Sequence, residues 1–301
     1  MKRLLFFPLT ILLTQCSPEP AVRSNLTSTR GVYAPSQNYS GSSHEIINVS
    51  AYDPKERHRS GSGYSERNVS SLKENGARGL IARAGKGGDL DEKCGSFVAS
   101  ADRVGLLAGI YYRVQKHKSP ESQADQFVSR AQSLSSRRPA GAAPLLLCGD
   151  YDGDLSLSQV LRFMDRVEAR TGVIPITYLE NSEAMKRQTR SADSRTRARL
   201  LRAPYWLALY SHESGAGSVF AAPGSPEGLV KQYGLWSHWT MWQYGGVEWA
   251  NRRSNPKVYS YGPYRNQQYF GNMDRPLERN LFRGSYQSLV GFWAQHGLPK
   301  S

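Results

Sequence analysis

The sequence predicts an α/β fold: a modified TIM-like barrel of five β/α units followed by helix-poor β strands. Three observations predict it. The stretch PLLLCGDYDGDLSLSQVLRFMDRVEARTGVIPITYLE, Pro144 to Glu180, reads as strand, helix, strand, and such a crossover demands a parallel sheet. The elements before it alternate in the same way. The last third offers strands with few helices. A doubly wound open sheet is the runner-up, but no GxGxxG follows the first strand to support a nucleotide site.

The chain of 301 residues begins with basic Met1-Lys2-Arg3 and an apolar run, Leu4 to Thr14. That run falls short of the roughly 20 residues a bilayer span needs and fits a secretory signal peptide. Leu13-Thr14-Gln15-Cys16 resembles a bacterial lipoprotein box, with Cys16 as the lipidated residue. Residues 1–16 are therefore expected to direct export. Residues 17–43, rich in Ser, Asn, Thr and Pro, read as a disordered tether, and residues 44–301 as the barrel. The expected location is the periplasm or cell envelope, with membrane contact only through a lipid on Cys16.

The first strand is expected at Glu45 to Ser50, and a helix at Val69 to Gly76, ended by Asn75-Gly76. Gly79 to Ala84 reads as the second strand. The turn Gly85-Lys86-Gly87-Gly88 lacks the GxxxxGK[ST] phosphate pattern and reads as a sharp strand exit. A helix over Phe97 to Gly105, a strand over Leu106 to Val114 and a helix over Gln123 to Ser135 follow. In the central stretch, Leu145-Leu146-Leu147 suits a strand buried on both faces. It breaks into the acidic tip Asp150-Tyr151-Asp152-Gly153-Asp154. Val160, Leu161, Met164, Val167 and Glu168 then keep a 3.6-residue spacing, with Arg162, Asp165 and Arg166 opposite. Thr171-Gly172 stops that helix, and Val173 to Tyr178 is the next strand.

Glu183 to Arg202 carries Arg187, Arg190, Arg195, Arg197, Arg199 and Arg202. A solvated basic helix is the plain reading; an anion-binding patch is the sharper one. Tyr205 to Tyr210 and Trp239 to Tyr244 are strands, Asn255 to Asn272 a long loop, and Leu289 to His296 a closing amphipathic helix.

Lys plus Arg number 39 against 25 Asp plus Glu, a formal charge of +14, which draws a protein to polyanions such as nucleic acid, anionic lipid or acidic wall polymers. No nucleic-acid module accompanies the charge in this exported chain, so no nucleic-acid partner is expected. The six His show no HExxH and no close pairing, so neither metal nor cofactor is expected. Cys94 and Cys148, the two cysteines beyond the leader, are open to pairing or to staying free. The 17 Tyr and 6 Trp suit carbohydrate grooves as well as cores.

The order INVS (Ile47 to Ser50), IARAGKG (Ile81 to Gly87), GLLAGIYYRV (Gly105 to Val114), PLLLCGD, TGVIPITY (Thr171 to Tyr178), YWLALY, WTMWQYGG and LERNLFRGS (Leu277 to Ser285) resembles the lysozymes of glycoside hydrolase family 25. The resemblance runs from about Glu45 to the C-terminus. It implies a β/α barrel ending in β strands, N-acetylmuramidase activity, and peptidoglycan or a related amino-sugar polymer as partner. Departures fall on the chemistry. The acid of the family's opening D-V-S strand matches Asn48. Its central D-x-E matches Cys148-Gly149-Asp150, preferred because LSLSQV then follows at the usual distance, whereas a two-residue shift would match Asp150-Tyr151-Asp152. The Glu of A-T-E-G matches Lys86, the His of Y-H-F matches Tyr112, and the acid of V-D-x-N is kept as Glu278.

Glycoside hydrolysis needs a proton for the leaving oxygen and negative charge to stabilise the sugar cation, usually from two carboxyls. Asp150 is the expected general acid. Its partner must come from Asp152, Glu180 or Glu278, since Asn48 carries no charge and Cys148 replaces an aspartate poorly. Asp152 and Asp154 also read as a solvated turn or cap ahead of the helix. The inherited groove is expected to be lined by Asn48, Cys148, Tyr111, Tyr112, Tyr178, Trp206, Trp242 and Tyr244, though each aromatic suits core packing equally. Two readings follow: a peptidoglycan-directed glycosidase with an altered acid pair, or an inactive barrel that binds peptidoglycan or another glycan.

Overall fold

The computed structural model describes residues 43–53, 64–152, 154–179, 181–209, 211–212, 226–248, 257–260 and 277–300. All lie in one compact unit, Tyr33–Ser301. In chain order the elements are β1 (Ser43–Val49), α1 (Glu66–Glu74), β2 (Ala77–Lys86), β3 (Asp89–Leu90), α2 (Cys94–Val104), β4 (Leu107–Arg113) and α3 (Pro120–Ser135). Next come β5 (Leu145–Tyr151), α4 (Leu157–Thr171), β6 (Ile176–Leu179), α5 (Glu183–Ser191), α6 (Ser194–Leu201) and β7 (Tyr205–Ala208). The chain continues with β8 (Ser211–His212), α7 (Pro226–Tyr233), β9 (Met241–Glu248), β10 (Lys257–Ser260), β11 (Glu278–Arg283), α8 (Tyr286–His296) and β12 (Gly297–Leu298).

Strands β1, β2, β4, β5, β6, β7 and β9 pair in parallel in that order. Antiparallel β11 then joins β9 to β1 and closes the barrel. This is the predicted α/β barrel with its helix-poor end. The helices start where their caps dictate: Ser65 and Ser156 form capping boxes on α1 and α4, and Ser119 caps α3. Gly105 and Gly172 end α2 and α4 in the left-handed conformation, at φ 72° in both, where a Cβ would be strained.

Side chains on a strand alternate faces, and here they sort into two cores. The outer one lies between barrel and helices and holds Ile47, Leu80, Ala108, Leu147 and Leu207 with helix residues such as Phe97, Phe127 and Phe163. The inner one holds Ile46, Ile81, Leu107, Leu146, Ile176, Met241 and Phe282. Leu289, Phe292 and Trp293 of α8 join that inner core and plug the end of the barrel formed by the strand N-termini. Trp293 donates its ring N–H to the Ala108 carbonyl at 2.7 Å. Gly79 makes room, since a Cβ there would lie 3.1 Å from the Trp293 ring.

Some elements differ from expectation. The basic stretch Glu183 to Arg202 is two helices, because Ala192 is extended and Asp193 starts a new cap. Its arginines are largely committed: Arg199 and Arg202 pair with Asp165 and Glu168 of α4. Arg190 and Arg197 donate to backbone carbonyls of Gln232 and Gly234. Helix α7 is absent from the sequence reading. The expected loop Asn255 to Asn272 contains β10, and its other residues lie outside those described. Cys94 and Cys148 are both free and buried, on opposite sides of the barrel wall.

Candidate active site

The C-terminal ends of the parallel strands form a rim, and Glu278 joins it because β11 runs the other way. Register places Lys86, Arg113, Asp150 and Tyr178 side by side across β2, β4, β5 and β6. One step deeper, Arg83, Tyr111 and Cys148 form the next row, with Trp206 beside Tyr178. Asp150 points inward, since its neighbours on the same strand face, Leu146 and Cys148, belong to the inner core.

Asp150 is 8 % exposed. Its Oδ1 accepts the Asp152 backbone N–H at 3.1 Å. Burial drives its carboxyl up and the Asp152 charge adds to that, while Arg113 pulls it down; the result is about 7. A buried acid with its proton held near neutrality is what a general acid requires. Asp152, by contrast, forms an ion pair with Arg113 at 2.8 Å, and Asp154 one with Lys116 at 3.0 Å. The helix cap after them is Ser156 rather than either acid.

The folded state therefore holds the Asp150 proton more tightly than the unfolded chain, whose carboxyl titrates near 3.8. That stabilisation is complete below pH 3.8 and disappears as pH rises through about 7. At about 1.4 kcal/mol per pH unit the total is a few kcal/mol. Asp150→Asn removes the titration, so the variant gains thermal stability on the parent as pH is raised from 4 to 8 in melting experiments. A difference in melting temperature that stays constant over that range would contradict the assignment.

Across the interior, Asn48 Nδ2 donates to Glu278 Oε2. Asn280 Nδ2 donates to Asn48 Oδ1 at 2.8 Å and to the Ile46 carbonyl at 3.0 Å, and the Trp206 ring N–H donates to Asn280 Oδ1 at 2.9 Å. Asn48 is thus the amide that anchors Glu278. Tyr111 feels both carboxyls: its hydroxyl is pushed up by burial first, with Glu278 and Asp150 adding to the shift and Arg83 opposing it. Tyr178 donates its hydroxyl to Gln243 Oε1 at 2.7 Å and packs edge-on against Trp206.

Of the predicted groove residues, Asn48, Tyr111, Tyr178 and Trp206 converge on this interior with Asp150 and Glu278. Cys148 shares the face but is fully buried with its thiol pushed up by burial, below reach of a ligand. Tyr112, Trp242 and Tyr244 are corrections: they belong to the outer core. Each sits one residue out of phase with the inward set, and a step of one flips the face. Tyr112 stacks on Phe163 and donates to Gln126. Trp242 donates to the Leu209 carbonyl, and Tyr244 to Glu45. Glu180 lies outside the described residues.

Three rim residues were missed. Arg83 is buried and bonds Asp91 through Nε at 2.8 Å. Arg113 links Asp150 and Asp152 electrostatically. Tyr52 is 37 % exposed just past β1, with the Arg83 guanidinium 5.5 Å from its ring centre. The signal for the first two was an arginine inside an otherwise apolar strand, which must be buried beside an acid.

The model of the glycosyl hydrolases family 25 matches residues 61–251. The chain belongs to that family. The solved bacterial lysozyme from Streptomyces coelicolor superposes with a TM-score of 0.55 at 20 % identity, over 85 % of this chain and 99 % of that one. The muramidase from Acremonium alcalophilum gives 0.51 at 17 % identity, over 83 % and 99 %. The catalytic domain of endolysin ply40 from bacteriophage P40 of Listeria monocytogenes gives 0.51 at 19 %, over 83 % and 97 %. At such identities the likeness is one of fold. A comparison with curated proteins finds no match. Family and barrel together are those of a glycosidase.

Proposed function

We propose that the protein is a peptidoglycan-directed glycosidase of the lysozyme type in which Asp150 donates the proton to the leaving oxygen. The observation that supports this is the buried Asp150 carboxyl, turned into the barrel mouth and titrating near 7. Glu278, oriented by Asn48, is the carboxylate available to stabilise the sugar cation. Asp152 holds Arg113 in place rather than acting on substrate. Tyr178, half-buried at the mouth, offers aromatic surface against which a pyranose ring packs, with Trp206 buried behind it.

The altered acids support a second reading, a barrel that binds glycan without cleaving it. Incubation with purified peptidoglycan separates the two. The glycosidase releases new reducing ends, located on N-acetylmuramic acid by borohydride reduction; the binder sediments with the wall and releases none. Among the described residues no helix is long and apolar enough to cross a membrane. We place the protein in the cell envelope, held by a lipid on Cys16. Cys16→Ser should then move it from the membrane fraction to the soluble fraction, and an unchanged distribution would exclude the anchor.

A further inference from the structure

The rim beside Asp150 carries three cations on two neighbouring strands. Arg83 is matched by Asp91 and Arg113 by Asp152. Lys86 is exposed and forms no ion pair with any described residue. It sits directly opposite Arg113 in the β2–β4 register, which in turn is opposite Asp150. Burial and the repulsion of Arg113 and Arg83 together lower the affinity of its amine for a proton, against a weaker pull from Asp150 and Asp152. Arg113 also keeps its Nε–H buried with no hydrogen-bond partner among the described residues. Lys86 is therefore the rim cation left without an ion-pair partner among the described residues, and an anionic group on a substrate can supply one.

We propose that the Lys86–Arg113 edge of the rim binds a free carboxylate on the sugar that enters the site. The preferred substrate is then an amino-sugar strand whose carboxylates are unsubstituted, as in peptidoglycan glycan stripped of its peptides. One unmatched ammonium suits a monoanion, and a carboxylate takes charge-assisted hydrogen bonds from an ammonium and a guanidinium together. A peptide-bearing strand has an amide at that position and offers no charge. A reaction that cleaves the amide between glycan and peptide supplies this preferred form, and peptide-bearing strands remain substrates bound about tenfold more weakly. The proposal rests on the mouth around Asp150 being the glycan site.

The test uses peptide-free glycan strands in two forms, carboxylates free or converted to methylamides, titrated calorimetrically into the whole protein. The free form should bind about tenfold tighter, the worth of one charge-assisted contact, and Lys86→Met should erase that preference. A preference that survives Lys86→Met comes from the overall charge of +14 and overturns the proposal. Equal affinity for both forms, with reducing ends still released from intact wall, overturns it while leaving the glycosidase standing. Failure to bind either form, with no release from wall, removes the glycan site itself and the proposal with it.

Discussion

Asp150→Asn should lower the release of reducing ends from peptidoglycan by about a hundredfold or more, the contribution of a positioned general acid. The substitution keeps the shape of the side chain and an oxygen that can accept the Asp152 N–H now held at 3.1 Å. Arg113 retains its ion pair with Asp152, so the rim is preserved. What disappears is the proton. The loss should fall on kcat with little change in KM, because the leaving oxygen takes that proton only as the bond breaks. Sedimentation with the wall should persist in the variant. A variant that keeps at least a third of the parental rate would show that the proton comes from elsewhere.

Trp293→Ala should destabilise the fold by about 3–5 kcal/mol, measured by urea unfolding. Trp293 is fully buried in the plug, touches Phe292 edge-on and holds the Ala108 carbonyl at 2.7 Å. Truncation leaves a cavity that the closed barrel cannot collapse around, since eight hydrogen-bonded strands fix its width. It also removes the ring N–H bond to the Ala108 carbonyl of β4. The site lies at the other end of the barrel, so folded variant should retain its rate per molecule. A loss below about 1 kcal/mol would mean that α8 is not the floor of the inner core.

Much of this architecture was legible because local patterns determine it. The apolar run into β5, the 3.6-residue spacing of α4 and the Gly172 stop identify a βαβ unit without reference to any other part of the chain. Asp150 was legible too, as an acid at the C-terminal tip of a buried strand. The facing of aromatics was not. Tyr111 and Tyr112, or Trp242 and Gln243, lie on strands buried on both faces, so no polar alternation marks which side is inward. Register with neighbouring strands decides that, and register is a property of the closed sheet. The placement of Glu278 at the rim depends on β11 joining β9 to β1, a pairing between segments far apart in sequence. The rim cations were visible as letters, yet only the β2–β4–β5 register brings Lys86 and Arg113 beside Asp150.

The most direct measurement of the central claim is the pH dependence of kcat/KM for peptidoglycan cleavage between pH 5 and 9. A buried acid titrating at about 7 requires a rate that is level below that pH and falls tenfold for each unit above it. A rate that stays level from pH 6 to 9 would mean the proton on Asp150 is not the one transferred.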